Sequence, residues 1–333
     1  MNAGTASIEA AGLLRRNPVR VLTWCAAALL VASPFALHSP YFTSIAISAL
    51  MFGLLAAIYD LMIGFAGLSH FGLAGVLAVG AYASGLLTVY TDASPWTGLV
   101  LGMVAGAVLG FATGFLTLRV HGLHLAMMTL FSAEAIRLTI ANLPDYTRGV
   151  LGLSVPPLTP FLGLSFERGG DGLAYYATLL VLGAAVMLIL VLVLRSRLGL
   201  VFGAIREDQL AAQSAGIATG WYRVLNMTIA CGLVGLIGAF YAHYVGILSP
   251  TPEEFGIQRT VEILTLTYLG GRRSLWGGLA AGILLIGLQE YFRDYGALRL
   301  VLCGVLLIVV MFFAPAGLAG GWRALAARFS SRS

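Results

Sequence analysis

Apolar runs of about 20 residues recur along this chain, and they fix the solvent it folds in before any motif is read. Backbone groups inside a bilayer must find their partners within the chain, which leaves helices or a closed barrel. The runs show no strict alternation of apolar and polar residues, so the barrel is rejected. The sequence is 59% hydrophobic and 10% charged, whereas soluble chains carry roughly 25% charged residues. The expected fold class is therefore all-α, a polytopic membrane protein.

Ten membrane segments are expected, at 21–37, 43–66, 68–90, 97–117, 122–142, 173–194, 223–247, 258–271, 275–291 and 298–315. The first follows Arg15, Arg16 and Arg20 as a signal peptide would, but no convincing small-x-small cleavage site follows it and further apolar runs do. Two gaps are long, 143–172 and 195–222. With the N-terminus in the cytoplasm, thirteen arginines fall on cytoplasmic segments and four, Arg148, Arg168, Arg293 and Arg299, on outer ones. That is the bias the positive-inside rule expects, and an odd number of spans would break it. The outer loops carry Asp92, Glu253 and Glu254 instead. The chain divides into a cytoplasmic segment 1–20, a transmembrane unit 21–317 with a cytoplasmic segment 195–222, and a basic cytoplasmic tail 318–333.

Every basic residue of the formal charge of +5 is arginine, because the chain contains no lysine. It can therefore build neither the phosphate-binding G-x-x-x-x-G-K-[ST] loop nor a lysine Schiff base. If ATP drives this protein, another polypeptide hydrolyses it. Cys25, Cys231 and Cys303 each lie in an apolar run and read as small buried residues. His121 and His124 form an i, i+3 pair without an evident third ligand. No H-E-x-x-H, no G-x-S-x-G and no cofactor fingerprint is present. No basic patch with interleaved aromatics points to nucleic acid. An intramembrane enzyme rests only on the histidine pair.

Gly102, Gly106, Gly110 and Gly114 form a glycine-every-four stripe, which lets a neighbouring backbone approach closely. Gly278 and Gly282 repeat it. Segments two to five are expected to match seven to ten as an inverted repeat. The third segment opens on Gly67-Leu68-Ser69-His70-Phe71-Gly72, and the short eighth ends in Gly270-Gly271. Interrupted segments at matching places in two halves point to a translocation pathway.

Within 195–222, Arg206 to Ser214 is expected as one short amphipathic helix stopped at Gly216, with Glu207 and Asp208 at the positive end of its dipole. Small residues at Ala211, Ala212 and Ala215 give it a smooth surface suited to docking in a partner's groove; an ordinary solvated connector is the alternative. Ionisable residues in the membrane runs are Asp60, His70, Glu134, Arg137, Glu262 and Glu290. Glu134 and Arg137 can simply pair, three residues apart. Asp60 and Glu290 lie near helix ends, where snorkelling suffices. Glu262, near Thr265 and Thr267, is the foremost pathway candidate, with Ser69, His70, Thr129 and Glu134.

Several of these stretches together resemble one family, from about residue 43 to residue 320. Gly64-Phe65-Ala66-Gly67 with Gly72 and Gly80-Ala81-Tyr82 is similar to its early glycine-rich block. Thr129-Leu130 with Glu134 and Arg137 is similar to its mid-membrane pattern. Thr147, Gly149, Gly152 and Leu153 resemble its outer loop. Gly270-Gly271 with Ser274-Leu275-Trp276-Gly277, and Pro315 with Gly317-Leu318, resemble its late blocks. The most specific likeness is Ala204-Ile205-Arg206-Glu207-Asp208 with Ala211-Ala212 and Gly216. The family is that of the LivM-type permeases of branched-chain amino acid ABC importers, in the hydrophobic amino acid uptake family.

The resemblance implies a permease that pairs with a second, homologous permease in the bacterial inner membrane, both termini cytoplasmic. It implies two cytoplasmic ATPase subunits that bind ATP and Mg, a periplasmic substrate-binding protein, and no cofactor on this chain. Arg206, Glu207, Asp208, Ala211, Ala212 and Gly216 would then be the coupling residues. The histidine of the early block stands at His70 here rather than at Leu73, and Arg148 and Arg272 stand where glycine is common. A permease of the same family for urea or a small carboxylate, and an ATP-independent secondary transporter, are the alternative readings.

Overall fold

The computed structural model describes residues 39–293 apart from 121, 162, 164, 167–169 and 171, together with positions 34, 304, 305, 308, 317, 318 and 320. The expected segments 21–37 and 298–315, the terminal segments, Cys25, Cys303 and His121 thus lie wholly or almost wholly outside the described residues.

The remaining eight expected segments coincide with helices to within a few residues. Helix α1, Pro40–Asp60, starts on a proline whose missing N–H is one of the orphan donors of a first turn. It continues into a π-helical turn, Leu61–Phe65, as one apolar span of 26 residues. Then come α2, Leu73–Thr91, α3, Pro95–Leu116, and α4, Gly122–Ala141. A one-turn helix Pro144–Thr147 leads to β1, Leu153–Ser154, and then to α5, Leu173–Arg195. Two short helices follow, α6, Arg197–Glu207, and α7, Gln209–Ser214. The long α8, Thr219–Val245, ends at β2, Ile247–Leu248. A second one-turn helix, Pro252–Phe255, precedes α9, Ile257–Gly270, and α10, Leu275–Tyr291. Among the described residues six helices are long and apolar enough to cross a membrane: α1 with its π turn, α2, α3, α4, α5 and α8. Helix α9, with 14 residues, falls short of the roughly 20 needed, and α10 has 17.

Two boundaries differ from the sequence reading. The third segment begins at Leu73, not 68, because Gly67 takes φ +69° and the chain stays irregular to Gly72. The seventh begins at Thr219, not 223, so Arg223 belongs to the helix and is buried.

Glycine decides how closely these helices pack. All four stripe glycines of α3 face inward. A Cβ on Gly106 would stand 2.4 Å from the carbonyl oxygen of Cys231 on α8, and one on Gly110 would stand 2.5 Å from the Cys231 Cβ. In return, a Cβ on Gly235 of α8 would meet the Gly102 oxygen at 2.3 Å. Lipid is as apolar as leucine, so backbone-to-backbone van der Waals contact replaces the missing hydrophobic drive. Helices α1 and α10 repeat the device: a Cβ on Gly282 would lie 2.5 Å from the Ala49 oxygen. Helices α1, α2 and α8 are buried along most of their length. The outer faces of α3, α4 and α5 expose Val104, Val108, Phe131, Val181 and Leu188. Those faces suit lipid contact.

The two ends of the bundle differ. One gathers Arg119, Arg195, Arg197, Arg206, Arg223, Arg272 and Arg273 on the ends and turns of its helices. The other is closed by the antiparallel pair β1–β2, with Leu153 opposite Leu248. There the Ser84 hydroxyl lies 2.8 Å from His243 Nε2, and His243 Nδ1 lies 2.8 Å from the Pro156 carbonyl oxygen. A carbonyl can only accept, so Nδ1 donates to it and Nε2 accepts from the Ser84 hydroxyl.

Candidate functional site

At the arginine-rich end the segment 195–222 folds differently from the single helix expected at Arg206–Ser214. Phe202 and Ile205 bury one face of α6 against the bundle. The helix then stops at Glu207. Asp208 takes an extended backbone, φ −155° and ψ 111°, and its Oδ1 accepts the N–H groups of Leu210 and Ala211 at 2.8 and 3.1 Å. A short aspartate side chain caps a new helix better than it continues an old one. Glu207 is therefore the last residue of α6, not part of a first turn, and Asp208 is the N-cap of α7. Gly216, at φ +84°, ends α7 in a Schellman motif: Ile217 N–H donates to the Ala212 oxygen and Gly216 N–H to the Gln213 oxygen.

The kinked pair presents Glu207, Asp208, Ala211 and Gly216 outward, while Ala212 faces the bundle. Sequence reasoning passed over two exposed leucines on this unit, Leu200 and Leu210, each more than 70% exposed. Arg206 lies against Gly67, where a Cβ would stand 3.2 Å from the arginine Cγ. This unit therefore touches the irregular stretch between the π turn and α2.

That stretch brings three of the expected pathway residues together. Phe71 N–H donates to Thr129 Oγ1 at 2.9 Å, and Gly72 N–H to His70 Nδ1 at 3.3 Å. Thr260 of α9 accepts the N–H of Ala74 at 3.3 Å. These side chains satisfy donors that the start of α2 leaves open. His70 is buried, and since Nδ1 accepts, its proton sits on Nε2, which has no acceptor among the described residues. Ser69 is partly exposed beside it.

The two glutamates stand apart from this turn, each held by an arginine of its own helix. Arg137 Nε donates to both Glu134 oxygens at 3.0 and 3.1 Å, and its Nη1 reaches the Pro250 oxygen at 2.9 Å. Arg259 Nη1 donates to Glu262 at 3.0 Å, its Nε donates to the Glu254 backbone carbonyl oxygen at 3.2 Å, and its guanidinium lies over the Phe52 ring. Both arginines thus anchor the connection between β2 and α9. Glu290 bonds Tyr41 and Arg293.

Asp60, expected from the sequence only as a helix-end acid, ties two distant helices together. It is buried, and its two oxygens accept the N–H groups of Arg273 and Ser274 at 2.9 and 2.8 Å. Asp60 thereby caps the start of α10 from the far end of α1. The only sequence signal was a carboxylate in one apolar run and a Gly-Gly-Arg-Arg-Ser turn much later in the chain. Among the described residues no three His, Cys, Asp or Glu side chains cluster as a metal site.

Comparison with known proteins gives this arrangement its relatives. The family described as "Branched-chain amino acid transport system / permease component" matches residues 41–312. The high-affinity branched-chain amino acid transport system permease protein LivM of Escherichia coli K12 is 31% identical over 310 residues, 87% of this chain and 72% of that protein. LivM of Salmonella typhimurium LT2 is 30% identical over 308 residues, 86% of this chain and 72% of that protein. No solved structure matches the chain. A match over most of the chain, with apolar spans to suit it, shows that the protein belongs to the branched-chain amino acid transport system permease family.

Proposed function

We propose that the protein is the membrane-spanning permease subunit of an ATP-binding-cassette importer for branched-chain or other small hydrophobic amino acids. A periplasmic binding protein delivers the solute, and a second, homologous permease completes the pore. Two cytoplasmic ATPase subunits hold ATP and Mg. The unit 21–317 spans the bacterial inner membrane ten times as an inverted repeat, between segment 1–20 and the basic tail 318–333, both cytoplasmic.

The kinked unit α6–Asp208–α7 is the observation that carries this reading. It is short, capped at both ends and exposed on its charged side, and Arg206 packs against Gly67. Such a unit can pass a push from a docked ATPase to the stretch 67–72 with little bending of its own. Arg206, Glu207, Asp208, Ala211, Ala212 and Gly216 serve that contact. Ser69, His70 and Thr129 line the solute's path, with Glu134 and Glu262 held beside it. Irregular backbone at membrane depth is tolerated only where it is buried or lines a cavity, which supports that placement.

The test of the substrate class is uptake into proteoliposomes holding the full importer and its binding protein. ATP-dependent uptake of leucine, isoleucine or valine, with none of urea or short carboxylates, is the expected result. Uptake of urea or a carboxylate alone would move the protein to another branch of the family, and uptake without ATPase subunits would make it a secondary transporter.

A further inference from the structure

Helix α1 does not end as an ordinary helix. Asp60 is its last residue, and Leu61–Phe65 widens into the π turn. Such turns are frequent at functional sites. Asn226 of α8 donates to the Leu61 oxygen at 3.3 Å and holds the turn from one side. Gly64 in the turn is required by the carboxylate that precedes it. A Cβ there would overlap Asp60 Oδ1 and stand 2.9 Å from the Arg273 nitrogen. Only glycine leaves Asp60 room to reach the turn between α9 and α10.

That turn is strained. Gly271 takes φ +95° and Arg273 φ +64°. A non-glycine residue in the left-handed region persists where its surroundings fix it. Asp60 is one such fixture, since it accepts the N–H of Arg273 itself. A second tie lies a turn back, where Thr267 Oγ1 of α9 donates to the Ala56 oxygen of α1 at 3.1 Å. The end of α9 is thus fixed to α1, and α9 is the helix that bears Thr260 and Glu262.

Among the described residues no cation forms an ion pair with Asp60. Two arginines are near enough for their charge to act on it, Arg272 of the same turn and Arg206 of α6. Helix α6 packs against the π turn, and Arg206 lies over Gly67, three residues beyond Gly64. Arg206 Nη1 also reaches Oε1 of the exposed Glu207 at 3.8 Å. A buried carboxylate is costly, and at low dielectric it responds strongly to a neighbouring cation. Moving Arg206 therefore changes the balance between that cation and the two N–H groups on the same carboxylate.

We propose that Asp60 is a positioning residue of the transport cycle, through which movement of the coupling unit at Arg206 loosens or tightens the α9–α10 turn. This inference rests on the importer reading above. It adds a second branch to the stroke, toward α9, beside the one toward the stretch 67–72.

The test is the full importer in proteoliposomes, with leucine uptake and ATP hydrolysis measured on the same vesicles. Asp60→Asn and Arg206→Gln should each lower the leucine carried per ATP about tenfold, the scale of a typical coupling between sites. The double variant should be no worse than the worse single one, because both act through one contact. A purely structural Asp60 would lower uptake and hydrolysis together and leave their ratio unchanged. That unchanged ratio, beside ATP-driven uptake by the wild type, would overturn the inference and leave the importer reading standing. A wild type that needs no ATPase subunits would overturn both. Should Asp60→Asn fail to fold, amide exchange over residues 270–277 decides, since Arg206→Gln keeps the Asp60 carboxylate. Trapping ATP with vanadate should change the protection of that segment in the wild type and not in Arg206→Gln. An equal change in both, or none in the wild type, would overturn the inference.

Discussion

Removing the carboxylate of Asp60 leaves the part-buried N–H groups of Arg273 and Ser274 without their acceptor. An abandoned buried donor costs about 1–3 kcal/mol. Asp60→Ala should therefore lower the thermal stability of the solubilised protein clearly, and Asp60→Asn, which keeps one acceptor oxygen, by less. Equal melting temperatures for all three proteins would remove Asp60 from this role. Glu254 gives a pH-dependent counterpart on the outer connection. Burial pushes its carboxyl above the ordinary range, against the opposing pull of the Ser249 N–H and Arg259, and one of its oxygens is buried without a partner. With the folded-state pKa raised, the native protein binds the extra proton. Its contribution to stability is then full below the unfolded value, about 4.3, and is lost as pH rises through the folded value. Glu254→Gln should flatten that decline, measured as melting temperature against pH; a steeper decline in the variant would contradict the sign. The chemistry of single residues was only partly legible in the sequence. The Glu134–Arg137 pair could be read from its spacing, whereas Asp60 could not, because its partners lie in a turn more than 200 positions later in the chain.

Element boundaries follow backbone details that periodicity does not register. Apolar runs marked the helices, but Asp208 split the segment expected as one helix, since its side chain captures two N–H groups that a continuous helix would leave to backbone oxygens. Gly67 at φ +69° delayed the start of α2 in the same way. The glycine stripe of α3 was legible as a close-packing face, but its partner was not. Only the structure places α8 there, with Cys231 and Gly235 against it. The stripe yields a direct expectation. Gly106→Leu would force side-chain atoms into the Cys231 carbonyl, and overpacking of this kind costs typically 1–3 kcal/mol or more. The variant should melt well below the wild type, while Gly287→Leu, where a Cβ meets nothing, should not. Similar losses for both would mean that the α3–α8 contact is not the tight one.

At the scale of the whole molecule, six of the helices among the described residues are long and apolar enough to cross a membrane; of these α1, α2 and α8 are the most buried, and a kinked unit is exposed at the arginine-rich end. The family was readable from short blocks because those blocks carry backbone requirements: a break before α2, a cap at Asp208 and a glycine turn before α10. The partners were expected only through the family resemblance, since the surfaces that would bind this chain belong to other chains. Co-purification from the native membrane tests the account most directly. The wild type and a Glu207→Arg/Asp208→Arg variant would each be solubilised and captured. The account predicts that ATPase subunits and a second permease accompany the wild type, and that the variant keeps the permease while losing the ATPases. A wild type that comes down alone, and still moves solute in vesicles, would contradict it.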